Sequence, residues 1–218
     1  SNVTRVDSGE SPSATTGDAA EDNARIIQSF RFAASAARAY GERIAGEGEI
    51  CWKGLHSWKA VLSTLEAVNG VTDPSRIVTD PGFMGLQGDR AHTYLFLMGH
   101  NAPDCRLLDD EHTPEQFRSA YAEMVRKLRP WHIDDHAAQN DGTVKQPEVA
   151  GSAGHDSTGK HCGADDLNGK MDVVECSGLW LQGAKDRGIN HIRWDDCGSP
   201  PAVQRDPATL LVVLATLI

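Results

Sequence analysis

Residues 92–101, HTYLFLMGHN, carry a short apolar run that lacks alternation and stops at Gly99. Twelve positions on, TPEQFRSAYAEMVRKLRP at 113–130 carries a full helix signature. Thr113 is placed to cap, Pro114 suits the first helical position, and Gln116 completes a capping box. Phe117, Tyr121, Met124, Val125 and Leu128 form one apolar stripe, basic residues crowd the last turn, and Pro130 stops the helix. A non-alternating apolar run, a loop and a capped helix read as a βα unit of a parallel sheet. This constrains the fold strongly, because parallel strands need crossover connections that cover the sheet.

Other segments extend the pattern. NVTRVDS at 2–8 reads as a first strand, and 24–44 as a helix with Ile27, Phe30, Ala34 and Ala37 on one face. GEGEICWKGL (46–55) runs to another glycine, and HSWKAVLSTLEAVNG (56–70) reads as a helix closing at Asn69-Gly70. A late strand is expected within 171–182, and a final helix at 206–218 with Asp206 as its cap. Residues 131–170 are rich in Gly, Asp, His, Asn and Ser, and read as a long surface excursion. The expected fold is α/β, a three-layer α/β/α sandwich around a mostly parallel sheet, in one domain over 1–218.

Composition narrows the partners. A chain of 218 residues is long enough to bury a core. Its formal net charge of -10, with no basic cluster, makes a nucleic-acid partner unexpected. The longest apolar stretch, LLVVLATLI at 210–218, is too short to span a membrane. Five widely spaced cysteines form no CxxC; they fit one or two disulfides as well as reduced thiols, so the compartment stays open. Oligomeric state is equally open.

In open parallel sheets, ligands bind beyond the carboxyl ends of the strands. Four blocks stand at such places: GESPSATTGD (9–18), CWKGL (51–55), GHNAPD (99–104) and WDDCGSPP (194–201). In order and spacing they resemble the blocks of the GDSL, or SGNH, hydrolases. Gly9-Glu10-Ser11 stands where that family has Gly-Asp-Ser, with Gly17 as a further glycine. Gly54 stands for the second-block glycine, with Cys51 where Ser is common, and Gly99-His100-Asn101-Ala102 stands for Gly-x-Asn-Asp. Asp196-Cys197-Gly198-Ser199-Pro200 keeps the frame of the last block, with Ser199 at the histidine position.

The resemblance implies a flavodoxin-like sheet and a serine ester hydrolase. It acts through an acyl-enzyme on a small-acyl ester, such as an acetylated carbohydrate. Ser11 is then the nucleophile, and Ser11, Gly54 and Asn101 supply the oxyanion hole. His191 is the candidate base in place of the missing histidine, with Asp196 or its neighbour Asp195 as the orienting carboxylate. No cofactor or metal is required. The alternatives are a binding-only member of the fold, or a calcium- or zinc-binding module centred on 155–175. The calcium version rests on the dockerin-like DLNGKMDVVE at 166–175. The zinc version rests on His155, His161, Cys162 and Asp165 or Asp166, with His191 as a distant ligand.

Overall fold

The computed structural model describes residues 2–8, 16–145, 157–163 and 166–195. Ser11, Asp196 and the expected helix at 206–218 lie outside these residues. Five strands form one all-parallel sheet: β1 (Val3–Val6), β2 (Arg43–Glu47), β3 (Met84–Asp89), β4 (His132–Ala137) and β7 (Arg193–Trp194). Their order follows the chain, β1-β2-β3-β4-β7. The flavodoxin-like order 2-1-3-4-5, with its switch point, is therefore not the order of the described strands. Two further two-residue strands, β5 (Val144–Lys145) and β6 (Thr158–Gly159), pair as an antiparallel hairpin.

The helices are α1 (Ala19–Ala39), α2 (Trp58–Asn69), α3 (Arg90–Met98), α4 (Pro114–Leu128) and α5 (Val173–Leu181). Each starts on a side chain that takes up orphan backbone N–H groups. Asp18 caps α1, Ser57 caps α2, Asp89 caps α3 and Asp172 caps α5. On α4 the expected capping box is complete: Thr113 Oγ1 accepts from Gln116 N–H at 3.2 Å, and Gln116 Oε1 accepts from Thr113 N–H at 2.7 Å. Thr113→Ala is expected to destabilise the chain by about 1 kcal/mol. A urea denaturation midpoint that does not move would count against the cap.

The core lies between sheet and helices. Ile44, Met84, Leu86 and Ile133 from the strands meet Phe30, Leu65, Tyr121, Met124, Val125 and Leu128 from the helices. Burying such an aliphatic or aromatic side chain is worth about 1.5–3 kcal/mol. Between β3 and β4 the register shifts at Leu86/Gln87, so Ile133 is the extra residue of a bulge. Gly85 makes this close packing possible, because a Cβ there would stand 2.6 Å from the Trp131 carbonyl oxygen. No described helix is long and apolar enough to cross a membrane.

Several expected elements are corrected. The run 92–101 is no strand; it is most of α3, whose residues Arg90 to Leu97 are all buried. A helix buried all round shows no 3.6-residue stripe, and so reads like a buried strand. The stretch 171–182 is no strand either: Val173–Leu181 is helical, with Val173, Cys176, Ser177 and Trp180 buried on one face. The strand before α2 ends at Glu47, and the helix expected over 24–44 runs from Ala19 to Ala39. The segment 131–170 is not wholly a surface excursion, since it opens with the buried strand β4.

Candidate metal centre

Because the sheet is parallel, all its strands deliver their carboxyl ends to one edge. β2 ends on Glu47, with Glu49 two residues on. β3 ends on Asp89, after Gln87. β4 brings His136, and Asp195 follows β7, its N–H donating to the Ala137 carbonyl at 3.0 Å. His92 sits in the first turn of α3. The hairpin then folds back over this edge and carries His161.

Glu47, Asp89, His136 and Asp195 each offer one donor atom, and the four atoms lie within 4.8 Å of one another. His136 Nδ1 is 3.9 Å from Glu47 Oε1, 3.8 Å from Asp89 Oδ2 and 3.3 Å from Asp195 Oδ2. Ligands on a common divalent ion, at bonds of about 2.0–2.4 Å, stand roughly 3–4 Å apart. The Gln87 amide borders the group, with its nitrogen 2.6 Å from His136 Nδ1 and 3.3 Å from Glu47 Oε1. Rotated by half a turn, that amide adds an oxygen donor.

Asp89 divides its two oxygens. Oδ1 accepts the N–H groups of Ala91 at 2.8 Å and His92 at 3.3 Å, which fixes the carboxylate at the head of α3. Oδ2 is buried, makes no hydrogen bond, and points between His136 Nδ1 and His161 Nε2. A buried carboxylate oxygen without a partner is costly unless a cation meets it.

The electrostatics follow from burial and crowding. Burial raises the Glu47 carboxyl, against the pull of His92. His136 and His161 hold Asp195 far below the usual carboxylate range. Burial opposes charge on His92, but the Glu49 and Asp89 carboxylates outweigh it and raise the imidazole to about 10. The edge thus crowds the carboxylates Glu47, Glu49, Asp89 and Asp195 beside the imidazoles His92, His136 and His161.

Of the residues singled out from sequence for the hydrolase, Asp195 is a donor of this centre, whereas Gly54, Asn101 and His191 are not. Gly54 is left-handed, packs against Ile26, and its carbonyl accepts from Thr64 Oγ1 at 2.8 Å. Lys53, beside it, pairs with Asp22 at 2.8 Å. His191 lies ahead of β7, with Nδ1 2.9 Å from Asn190 Oδ1 and Nε2 3.4 Å from Asp134 Oδ1. The Asn101 amide donates both to the Ile50 carbonyl at 2.9 Å and to the Ser157 carbonyl at 3.0 Å. It clamps the loop after β2 to the hairpin.

Of the zinc set read from sequence, His155 and Asp165 lie outside the described residues, and His161 is among the donor groups at this edge, its Nε2 3.7 Å from Asp89 Oδ2. Cys162 is not: its N–H donates to the Gln139 carbonyl, and burial pushes the thiol up to about 11. In the dockerin-like stretch, Asp166 accepts from the N–H and amide of Asn168, an ordinary turn. Sequence reading did not single out Glu47, Glu49, Asp89, His92 or His136. The available signal was Asp89-x-x-His92, two side chains of types that ligate metals, three residues apart at the end of a strand.

Comparison with protein-family models, curated proteins and solved structures gives no match for this chain. The SGNH resemblance gains no support from them.

Proposed function

We propose that the chain is a divalent-metal-dependent enzyme whose ion is held by Glu47, Asp89, His136 and Asp195. The observation that carries this reading is Asp89 Oδ2, a buried carboxylate oxygen without a hydrogen bond, set among three further donors. Three oxygens and one imidazole nitrogen suit a first-row divalent ion such as Mn²⁺, Fe²⁺, Co²⁺ or Zn²⁺. Such an ion polarises an oxygen of a bound substrate or lowers the pKa of a bound water. The substrate class is a small polar molecule able to present an oxygen at the end of the sheet. Glu49, His92 and His161 flank this place and are the next groups that substrate would meet. Arg5, bound to Glu47 at 3.3 Å and about half exposed, stands at its rim.

For the fold, the parallel sheet with helices packed on it supports the three-layer α/β/α reading. The ester hydrolase built on Ser11, His191 and Asp196 is the rival. It rests on two residues outside the described ones, and on an Asn101 whose two amide hydrogens already serve backbone carbonyls.

One experiment separates the two. The chain, purified without chelator, is assayed for bound metal by elemental analysis and for labelling by a fluorophosphonate. At least one divalent ion per chain is expected, with one ion fewer in His136→Ala, and no labelling. A chain that binds no Mn²⁺ or Zn²⁺ but is labelled, with labelling abolished in Ser11→Ala, would replace the metal reading by the esterase.

A further inference from the structure

A second donor group adjoins the first. His92 Nε2 and His161 Nε2 stand 3.2 Å apart, and His161 Nε2 lies 3.7 Å from Asp89 Oδ2. One donor atom from each of Asp89, His92 and His161 falls within 4.8 Å of the others, and all three residues are buried. The two rings do not stack: their centroids are 4.9 Å apart and their planes are tilted by 52°. They converge through their ε-nitrogens. Two imidazoles on one tetrahedral ion, with bonds of about 2.0–2.1 Å, place their nitrogens roughly 3.3 Å apart. Glu49 Oε2, 3.0 Å from the same His92 nitrogen, is the next oxygen in reach.

The chain holds this arrangement from several sides. Gly159 N–H donates to Glu49 Oε1 at 3.0 Å, which fixes the carboxylate. A side chain at 159 would collide with the His92 ring, so glycine is what lets the hairpin close over it. Asn140 Nδ2 donates to the Lys160 carbonyl at 2.6 Å, and Cys162 N–H to the Gln139 carbonyl at 2.9 Å. His161 is thereby pinned between two backbone anchors. Partners of this kind orient a ligand, and their loss typically weakens metal affinity by about 10–100-fold.

We propose that Asp89, His92 and His161 hold a second divalent ion, with Glu49 beside it and the Asp89 carboxylate shared between the two ions. The inference rests on the first centre being a metal site, since Asp89 belongs to both. A paired centre clamps two oxygens of one substrate, or one bridging oxygen, where a single ion holds one. The opposing reading makes His92 and His161 a hydrogen-bonded pair that moves a proton beside a single ion.

The test is metal stoichiometry on the full chain. The protein is stripped with chelator, reloaded with Zn²⁺ or Mn²⁺ and freed of excess metal. The expected result is two ions per chain for wild type, and one for both His161→Asn and His92→Asn. His136→Ala is expected to lose the other ion. The Mn²⁺-loaded wild type is expected to show the spin-coupled EPR spectrum of a close pair, a readout that needs no variant. One ion in wild type, still present in His161→Asn and lost in His136→Ala, overturns the second site and leaves the first intact. Two ions retained in both histidine variants with native circular dichroism overturn His92 and His161 as ligands, and an uncoupled spectrum at two ions per chain overturns the shared carboxylate. No ion in wild type removes both.

Discussion

Asp89→Asn is expected to change the sign of its effect on stability with the metal content of the solution. Asparagine caps a helix as well as aspartate does, so the Oδ1 bonds to Ala91 and His92 survive the substitution. What disappears is the charge on Oδ2, a buried oxygen with no hydrogen bond. In excess chelator the variant is therefore expected to unfold no earlier than wild type. With Zn²⁺ or Mn²⁺ present, wild type gains about 2.7 kcal/mol at a metal concentration of 100 Kd, and the variant gains almost none. Metal affinity should fall by more than the ~10–100-fold that loss of a second-shell partner causes. Thermal melts of both proteins, with chelator and with metal, read the difference. A wild type whose melting point ignores added metal, or an Asp89→Asn protein that responds like wild type, would show that Asp89 holds no ion.

Arg90→Met is expected to be the most destabilising single change, at roughly 3–5 kcal/mol. Arg90 and Asp135 form a fully buried ion pair. Asp135 also lies 2.9 Å from His132 Nε2, and these partners hold its carboxyl down at about 2 against the effect of burial. Arg90 further donates to Ser177 Oγ and the Gly88 carbonyl and lies over the Trp180 ring, whose indole N–H donates to Tyr121 Oη at 3.0 Å. Removing the guanidinium leaves a buried carboxylate short of its main counter-charge. The double variant Arg90→Met/Asp135→Leu should recover a good part of the loss, because it removes the stranded charge as well. Urea denaturation of the two proteins provides the comparison. A loss below about 1 kcal/mol in Arg90→Met would show that the pair contributes little. Arg90 follows Asp89 and Asp135 precedes His136, so this pair also ties together the two strand ends that carry the donors.

The elements that could be read from sequence are those whose signals are local. The capping box and stripe of α4, the Gly70 stop of α2 and the short β1 need no partner to be seen. The strands that matter most were hidden. MGLQGD and HIDDHA are buried at every position, yet they carry the glycines, amide and charges that the site and the bulge demand. Those residues break the apolar run that identifies a parallel strand. Conversely, α3 and α5 are apolar enough to pass for strands. The site was harder still. Its donors come from five stretches between Glu47 and Asp195, and only the parallel order of the strands brings them to one edge. His161 could be suspected as a ligand from its neighbourhood, but its partners Asp89 and His92 lie some 70 residues away.

Asn101 is the one described residue other than glycine held at a left-handed φ, 56°, a conformation asparagine tolerates better than most. From that bend its amide grips the loop carrying Glu49 with one hydrogen and the segment leading to His161 with the other. Together with the Gly159 N–H bond to Glu49, Asn101 ties the loop after β2 to the segment before His161. Tied in this way, the loop and the hairpin strand are expected to move together, and Asn101→Ala, which removes both amide bonds, is expected to speed backbone amide exchange in both segments.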